Sequence, residues 1–277
     1  MNACQYCDIK IPAGRLQCPK CKKWQGDETV KKHHNFILLK DVKVKEQNRL
    51  TTGPWDEIWG SNWKTGKTGI VLGSLNMLAG LRGCGKSTLA LQIASTVSQA
   101  TGQIALCLSS EEPNEQIKDR ADRLELNVDL IGMVSLMGGE SDDIEGIVKE
   151  YNPCMVFLDS SSDLAGENLQ SEVSICKTLK NFCAQRMIPG IVLSHVNKTG
   201  DVAGLEKLQH AVDSVTTFFP EGEGEDCPRV LHVEKNRNGK AMINYALTMT
   251  TKGLVPFIMN GGETDEDEDD SEEESNN

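Results

Sequence analysis

Short apolar runs alternate with longer helical patterns through the central part of the chain, from residue 51 to about residue 260. Apolar runs of this length, bounded by turn residues, are typical of buried strands. The strands are predicted at 70–80, 103–110, 154–160, 189–196, 214–219, 229–236 and 243–250, and the main helices at 86–100, 114–126 and 169–187. The alternation predicts an α/β fold with a mainly parallel sheet covered by helices on both faces.

The regions that flank this core differ from it in composition. Residues 1–25 are rich in cysteine, and residues 26–50 are polar and basic, so that we interpret them as a linker. The core is assigned to residues 51–260, and the acidic tail, residues 261–277, has too little apolar content to fold and is predicted to be disordered. The sequence therefore predicts four segments.

Charge is distributed unevenly between the two ends of the chain. Residues 1–50 hold 11 basic and 5 acidic groups, whereas residues 263–277 hold 10 acidic groups and no basic one. The formal net charge of −12 therefore does not exclude a polyanionic partner, because the front end is locally positive. The tail has three open interpretations: it competes with DNA for basic loops, it recruits a basic partner, or it aids solubility. Tighter binding of single-stranded DNA at low salt after deletion of 263–277 would support the first.

No run of 18 apolar residues occurs, and the first residues lack the apolar core of a signal peptide. We therefore expect no membrane segment and a cytoplasmic location. The ten cysteines agree with a reducing compartment, since four of them cluster near the start and six are scattered.

The stretch GLRGCGKS has the spacing G-x-x-x-x-G-K-[ST] between a predicted strand and a predicted helix. That context predicts a phosphate-binding loop, in which backbone N–H groups and a helix N-terminus face an anion. Lys86 is expected to reach the β- and γ-phosphates of ATP, and Ser87 to ligate Mg²⁺. The predicted nucleotide-binding residues are Gly80, Leu81, Arg82, Gly83, Cys84, Gly85, Lys86, Ser87 and Thr88.

Carboxylates follow two further predicted strands. Asp159 ends an apolar strand and is expected to hold Mg²⁺ through water. Glu111, with Glu112 as the alternative, follows a strand that we expect to neighbour the strand before the phosphate loop. A carboxylate there would orient the attacking water. The competing interpretation is that both glutamates only stabilise the N-terminus of the next helix.

Four cysteines near the start have the spacing C-x₂-C-x₁₀-C-x₂-C, namely Cys4, Cys7, Cys18 and Cys21. Paired C-x₂-C elements let four thiolates converge on a tetrahedral Zn²⁺. So small a module has almost no apolar core, and metal binding should supply most of its folding free energy. Its task is open between nucleic acid, a partner protein, a neighbouring subunit and a purely structural role.

Five stretches in order resemble the RadA (Sms) family of bacterial RecA-like DNA-repair ATPases. They are CQYC…CPKCKKW, TTGPWDEIWG…GIVLGSLNMLAGLRGCGKSTLALQIA, LCLSSEEPNEQIKDRADRL, HVNKTGDVAGLEKLQHAVDSV and EKNRNGK, which resembles the family's K-N-R-F-G motif. The resemblance covers most of residues 1–258. It implies a RecA-like P-loop NTPase core preceded by a C4 zinc module. It also implies a hexameric ring that binds single-stranded or branched DNA, hydrolyses ATP with DNA stimulation and drives branch migration in recombination, with a recombinase as a further partner.

The resemblance also implies roles for residues beyond the phosphate loop. Lys235 and Arg237 would reach the γ-phosphate of ATP held by the adjacent subunit, although the local sequence alone favours a β-turn with solvated charges. His195 would act as a sensor that couples the γ-phosphate to the loop after it. In and after that loop, Lys198 and Lys207 would contact the DNA backbone.

Two features depart from the family pattern. Asn238 stands where the family motif has Phe, and after Phe257 the chain has an acidic tail where the family continues into a Lon-protease-like domain. A short form of this kind is expected among phage recombination proteins. Two other functions stay open: a RecA-core strand-annealing or recombinase-loading protein that uses ATP as an assembly switch, and a KaiC-like signalling ATPase without a DNA role.

Overall fold

The computed structural model describes residues 2–4, 6–11, 17–22, 39–41, 48–137, 143–166, 168–195, 202–222 and 227–257. The chain divides into two compact units, Met1–Glu46 and Gln47–Asn277. The strands are β1 (Asn2–Ala3), β2 (Lys10–Ile11), β3 (Arg49–Leu50), β4 (Ile70–Val71), β5 (Leu75–Gly80), β6 (Ala105–Ser109), β7 (Ile131–Ser135), β8 (Met155–Asp159), β9 (Gly190–His195), β10 (Ser214–Pro220), β11 (Arg229–Asn236), β12 (Ile243–Thr250) and β13 (Gly253–Pro256). The helices are α1 (Lys86–Thr101), α2 (Asn114–Arg123), α3 (Ile144–Tyr151), α4 (Ser161–Leu164), α5 (Leu169–Arg186) and α6 (Val202–Ala211), with 3₁₀ turns at Leu39–Asp41 and Gly53–Trp59.

The larger unit is built on one sheet in which nine of the described strands have the order β13-β12-β11-β10-β5-β9-β8-β6-β7. The strands from β10 to β7 run parallel, and β11, β12 and β13 extend the sheet in antiparallel pairs. This arrangement confirms the predicted α/β fold with a mainly parallel sheet.

Successive residues of the central strands pack alternately on two sides of the sheet. In β5, Leu78 packs with α1 on one side, whereas Met77 packs with α5 on the other. All six residues of β5 are buried, as expected of a parallel strand covered on both faces. The alternation explains why the predicted strands read as nearly continuous apolar runs.

Two details differ from the predicted elements. The run predicted as one strand at 70–80 is two strands, β4 and β5, because the chain turns between them at Leu72–Ser74. In the larger unit, strands β3, β7 and β13 and helices α3, α4 and α6 were not predicted. Strand β7 lies at the edge of the sheet and is only partly buried, although its sequence is mostly apolar.

The smaller unit contains an antiparallel pair in which Asn2 in β1 lies opposite Ile11 in β2. Cys4, Ile11 and Cys18 are buried together beside it. In the described part of the chain, no helix is both long and apolar enough to cross a membrane.

Candidate active site

The phosphate loop connects β5 to α1, as its sequence predicts. Gly85 precedes the first residue of the helix with a φ of 111°, a left-handed conformation that glycine adopts without steric cost. A Cβ atom at Gly85 would lie 2.8 Å from Met249 Cε. The loop can therefore turn tightly into α1, whose N-terminus has free N–H groups and a positive partial charge suited to a phosphate.

Lys86 is buried, with only 4% of its surface exposed, and lies across the mouth of the loop. Its Nζ donates to the carbonyl oxygens of Gly80 and Leu81, both at 2.9 Å, and lies 3.3 Å from His195 Nδ1. Burial lowers the pKa of Lys86, because its direct partners are uncharged and do not compensate the lost hydration. An anionic phosphate would supply that compensation.

His195 connects Lys86 to the predicted catalytic carboxylate. Because an ammonium has only donors, His195 Nδ1 accepts from Lys86 and the ring hydrogen is assigned to Nε2. Nε2 then donates to Glu111 Oε2 at 3.0 Å. Lys86, His195 and Glu111 thus form a continuous chain from the phosphate loop to the carboxylate.

Asp163 belongs to the same group, although sequence reasoning did not predict it. Its Oδ2 lies 3.3 Å from His195 Nε2, and its Oδ1 accepts from Arg82 at 2.9 Å. Ser160 caps α4, and its Oγ accepts from the backbone N–H of Asp163. The sequence signal was the spacing Ser160-x-x-Asp163, which is typical of a capping box directly after a site strand.

Glu112 points away from this group. Its carboxylate forms a two-bonded ion pair with the guanidinium of Arg120 on α2, at 2.8 and 2.6 Å. This pairing raises the pKa of Arg120. Of the two adjacent glutamates, Glu111 is therefore the one placed beside His195.

Asp159 ends β8 and is 4% exposed. Burial raises the pKa of this carboxyl, and a hydrogen bond from Ser87 opposes the increase. Among the described residues, Asp159 Oδ1 is one of the few buried polar atoms with no hydrogen-bond partner. A buried, unpartnered carboxylate oxygen next to the Ser87 hydroxyl fits Mg²⁺, which prefers oxygen ligands and retains several waters.

The expected position of Glu111 in the sheet was wrong. Strand β6, which precedes Glu111, does not neighbour β5, because β9 and β8 lie between them. The chain after β6 nevertheless crosses the end of β8, where Ser110 N donates to the carbonyl of Asp159 at 2.7 Å. That crossing, rather than strand adjacency, brings Glu111 to the site.

Lys235 and Arg237 lie at the opposite end of the sheet. Phe218 in β10 pairs with Gly80 at the phosphate loop, whereas Ser214 pairs with both Asn76 and Asn236. The end of β11 is therefore level with the start of β5, four residues or about 13 Å along the strand from the loop. In a single chain these cations and the phosphate loop face opposite directions along the sheet.

Both cations have partners within the chain. Lys235 Nζ donates to the carbonyls of Val212, at 2.9 Å, and Gln209, at the C-terminal end of α6. Arg237 Nη1 donates to Asp213 Oδ1 at 3.2 Å, and its side chain is 51% exposed. The pKa of Asp213 lies below its usual value: burial raises it, but hydrogen bonds, first from Lys180, outweigh this effect.

Of the two residues predicted to contact DNA, the structure describes only one. Lys207 lies on α6 and is exposed. Lys198, residues 12–16 and 23–38, and the acidic tail from residue 258 onward lie outside the described residues. Asn238, which replaces the family Phe, is held by its backbone, since its N–H donates to Asn236 Oδ1 and its carbonyl accepts from Arg49.

In the smaller unit, the four predicted zinc ligands converge. Cys4 Sγ lies 3.6 Å from Cys21 Sγ, and Cys7 Sγ lies 3.6 Å from Cys18 Sγ. All four sulfur atoms lie within 4.8 Å of one another, and none forms a disulfide. Tetrahedral Zn–S bonds of about 2.3 Å give sulfur separations of roughly 3.8 Å. The cluster is therefore compatible with zinc.

Comparison with known proteins gives concordant results. Residues 64–201 match a family model described as an AAA domain. The chain is 32% identical over 270 residues to DNA repair protein RadA of Aquifex aeolicus, covering 91% of this chain and 58% of the relative. It is 29% identical over 281 residues to the Bacillus subtilis protein of that name (92% and 59%) and 30% identical over 278 residues to that of Pseudomonas aeruginosa (92% and 58%).

The chain thus spans less than two thirds of the length of these relatives. The similarity nevertheless extends over about nine tenths of the chain. Together with the phosphate loop and the nine-stranded sheet, it shows that the chain has a RecA-like core and is a relative of the bacterial RadA proteins.

Proposed function

We propose that this chain is an ATP-hydrolysing motor of DNA repair and recombination that acts on single-stranded or branched DNA as a ring, with six subunits as in the family pattern. One observation carries the proposal: the strand register places Lys235 and Arg237 at the sheet end opposite the phosphate loop. If these cations act on ATP, they act on the ATP of a neighbouring copy. Hydrolysis would then depend on assembly.

The residues at the phosphate loop have distinct tasks in this mechanism. ATP binding would draw Lys86 from the carbonyls of Gly80 and Leu81 toward the β- and γ-phosphates. Glu111 would orient the attacking water, held in place by His195. Ser87 and Asp159 would hold Mg²⁺, which would supply positive charge to offset the negative charge of the phosphates. Arg237 of the next subunit would stabilise the charge that develops on the transferred phosphoryl group.

A contact between two elements supports coupling of DNA to hydrolysis. The predicted DNA loop is followed by α6, which carries Lys207, and Lys235 binds the carbonyls at the end of α6. A cation is favourable at that helix end because of the helix dipole. Movement of α6 on DNA binding would therefore move the end of β11, where Arg237 follows. Zinc would organise residues 1–22 through the four cysteines.

The direct test measures ATP turnover with and without single-stranded DNA while the oligomeric state is followed. We expect turnover to rise with DNA and to require the oligomer. Lys86→Ala should abolish turnover, and Lys252→Ala, an exposed cation paired with Glu125, should leave it unchanged. Absence of stimulation by any nucleic acid would exclude the DNA motor. Lys86→Ala protein that still anneals complementary strands would favour a switch-like annealing protein instead.

The shared site is tested by mixing two inactive variants. Lys86→Ala lacks a functional phosphate loop and Arg237→Ala lacks the proposed trans cation, so that a mixed oligomer contains some boundaries with both groups intact. We expect partial recovery of turnover in the mixture. A mixture that stays inactive, although subunit exchange is verified, would contradict the trans arrangement.

A further inference from the structure

A short hairpin, residues 61–68, presents Trp63 to solvent. The Trp63 side chain is 86% exposed, whereas Trp55 and Trp59 nearby in the sequence are each 2% exposed. Two lysines, Lys64 and Lys67, accompany it, and residues 60–69 contain no acidic residue.

The exposure of Trp63 results from an ordered turn. Ser61 and Thr68 form an antiparallel bridge, and Asn62 N donates to the carbonyl of Lys67 at 2.8 Å. Asn62 Oδ1 accepts from the N–H groups of Lys64 at 2.9 Å and Thr65 at 3.1 Å. These bonds fix the turn on both sides of Trp63, as in an Asx turn. The indole is thus held away from the core by the backbone.

The ring of Trp63 has one face occupied by a cation. Lys64 Nζ lies 5.0 Å from the ring centroid, which is within the range of a cation–π contact. This contact leaves the opposite face of the indole for another planar group. An aromatic face flanked by lysines is the combination that binds single-stranded nucleic acid, because bases stack on the ring and phosphates pair with the cations.

The base of the hairpin packs against the turn that carries Arg237. A Cβ atom at Gly60 would lie 2.5 Å from Gly239 Cα, so that the two backbones touch. Arg49 ties the same segments together, donating to the carbonyls of Gly60 and Asn238 at 2.8 and 2.5 Å. Residues 235–242 add Lys235, Arg237 and Lys240 and contain no acidic residue. The hairpin therefore adjoins a turn that carries these cations, of which Arg237 pairs with Asp213.

We propose that the 61–68 hairpin is a binding site for single-stranded nucleic acid, in which a base stacks on Trp63 and neighbouring phosphates contact Lys64 and Lys67. The proposal rests on the proposed function, because it assumes that the chain binds DNA. It adds a contact outside the predicted loop residues Lys198 and Lys207. Because Gly60 and Gly239 are in contact, binding of single-stranded nucleic acid at the hairpin would also affect the position of Arg237.

The test measures binding of a labelled deoxythymidine oligomer to the full chain by fluorescence anisotropy. Loss of one base–aromatic stack should weaken binding of Trp63→Ala by roughly 5- to 150-fold, whereas Trp63→Phe should keep most of the affinity. The defect should disappear on an abasic oligomer of equal length, which has phosphates but no bases. Lys64→Gln and Lys67→Gln should each reduce the slope of log affinity against log salt by about 0.7.

Tyr151→Ala is the matched control, because Tyr151 is a 47% exposed aromatic residue at the end of α3. Tryptophan fluorescence supplies a second measurement: in a Trp24→Phe background, quenching by the oligomer reports on Trp63, since Trp55 and Trp59 are buried. Wild-type binding with an unchanged Trp63→Ala affinity would overturn this inference and leave the proposed function intact. Quenching by ATP alone, without quenching by the oligomer, would assign the indole to a nucleotide base and also overturn it. Failure of the wild type to bind any oligomer would instead remove the DNA role itself.

Discussion

The charged groups at the two ends of the parallel sheet differ in burial and in hydrogen bonding. At the carboxyl end, Lys86 and Asp159 are almost fully buried, and Asp159 Oδ1 lacks a hydrogen-bond partner among the described residues. At the amino end, Lys235 and Arg237 are partly exposed and are satisfied by carbonyls and by Asp213. The first end thus has a buried carboxylate oxygen without a partner among the described residues, whereas both cations of the second end have partners within the chain.

This difference indicates how hydrolysis could be made dependent on assembly. In the proposed mechanism, nucleotide binding at the carboxyl end would be favoured because burial has already removed water from its charged groups, so that ligand binding would relieve an existing cost. The amino end must exchange an internal contact for an external one. Arg237, half exposed and joined to Asp213, is better placed for such an exchange than Lys235, which holds two carbonyls at the end of α6.

The strongest test of this contrast is Arg237→Ala. If Arg237 stabilises the transition state at a neighbouring site, its loss should lower kcat by roughly 10³- to 10⁵-fold. The melting temperature should change little, because the 3.2 Å contact with Asp213 is half exposed. Steady-state turnover and thermal melting on the same preparations measure both effects. Lys180→Ala is the control, since it removes another cation from Asp213 without touching the strand end.

An Arg237→Ala protein with nearly normal turnover would show that the amino end of the sheet takes no part in ATP hydrolysis. Equal losses of turnover in Lys180→Ala and Arg237→Ala would give Asp213 and its packing, rather than the cation, the decisive role.

A smaller effect separates the two adjacent glutamates. Glu111→Gln keeps a side chain of the same shape near His195 but removes the carboxylate, and we expect kcat to fall by about 10²- to 10⁴-fold with ATP still bound. Glu112→Gln breaks the ion pair with Arg120 and should act mainly on stability. Single-turnover hydrolysis and a nucleotide-binding assay, applied to both variants, distinguish the two outcomes. If Glu112→Gln were the inactive variant, the assignment would be reversed.

Much of the carboxyl end could be predicted from local sequence. The phosphate loop is a contiguous motif whose backbone conformation depends on its glycines, and Asp159 ends a continuous apolar strand. The position of Glu111 was harder to predict, because strand order depends on long-range packing. The neighbour relation assumed for β6 was wrong, yet the crossing of Ser110 over Asp159 still brings Glu111 to His195.

The amino end could not be predicted in the same way. The sequence identifies Lys235 and Arg237 as cations at a strand tip, but only the pairing of β10 with both β5 and β11 shows which end of the sheet they occupy. Asp163 and Trp63 were missed for related reasons. Asp163 lies in a four-residue helix, and the exposure of Trp63 follows from a turn held by Asn62 rather than from an apolar pattern.

The smallest expected effect concerns stability at the carboxyl end. Burial raises the pKa of Asp159 in the folded protein above its value in the unfolded chain. The stability that results is fully present when the pH is below the unfolded pKa, and it is lost as the pH rises through the folded pKa. At neutral pH the ionised group therefore costs stability in the nucleotide-free protein. Asp159→Asn should remove a penalty of about 1–3 kcal/mol and raise the melting temperature by about 2–4 °C for each kcal/mol.

Two conditions should cancel or reverse this gain. Lowering the pH toward the titration of Asp159 should bring the two melting temperatures together, because the wild-type carboxyl is then neutral. Adding ATP and Mg²⁺ should stabilise the wild type more than Asp159→Asn, because the variant lacks a carboxylate for the metal. Asp122→Asn, on an exposed carboxylate of α2, should show neither response. An Asp159→Asn protein that melts lower than wild type at neutral pH without ligand would mean that the buried carboxylate is satisfied in the folded chain, and the contrast between the two ends of the sheet would then fail.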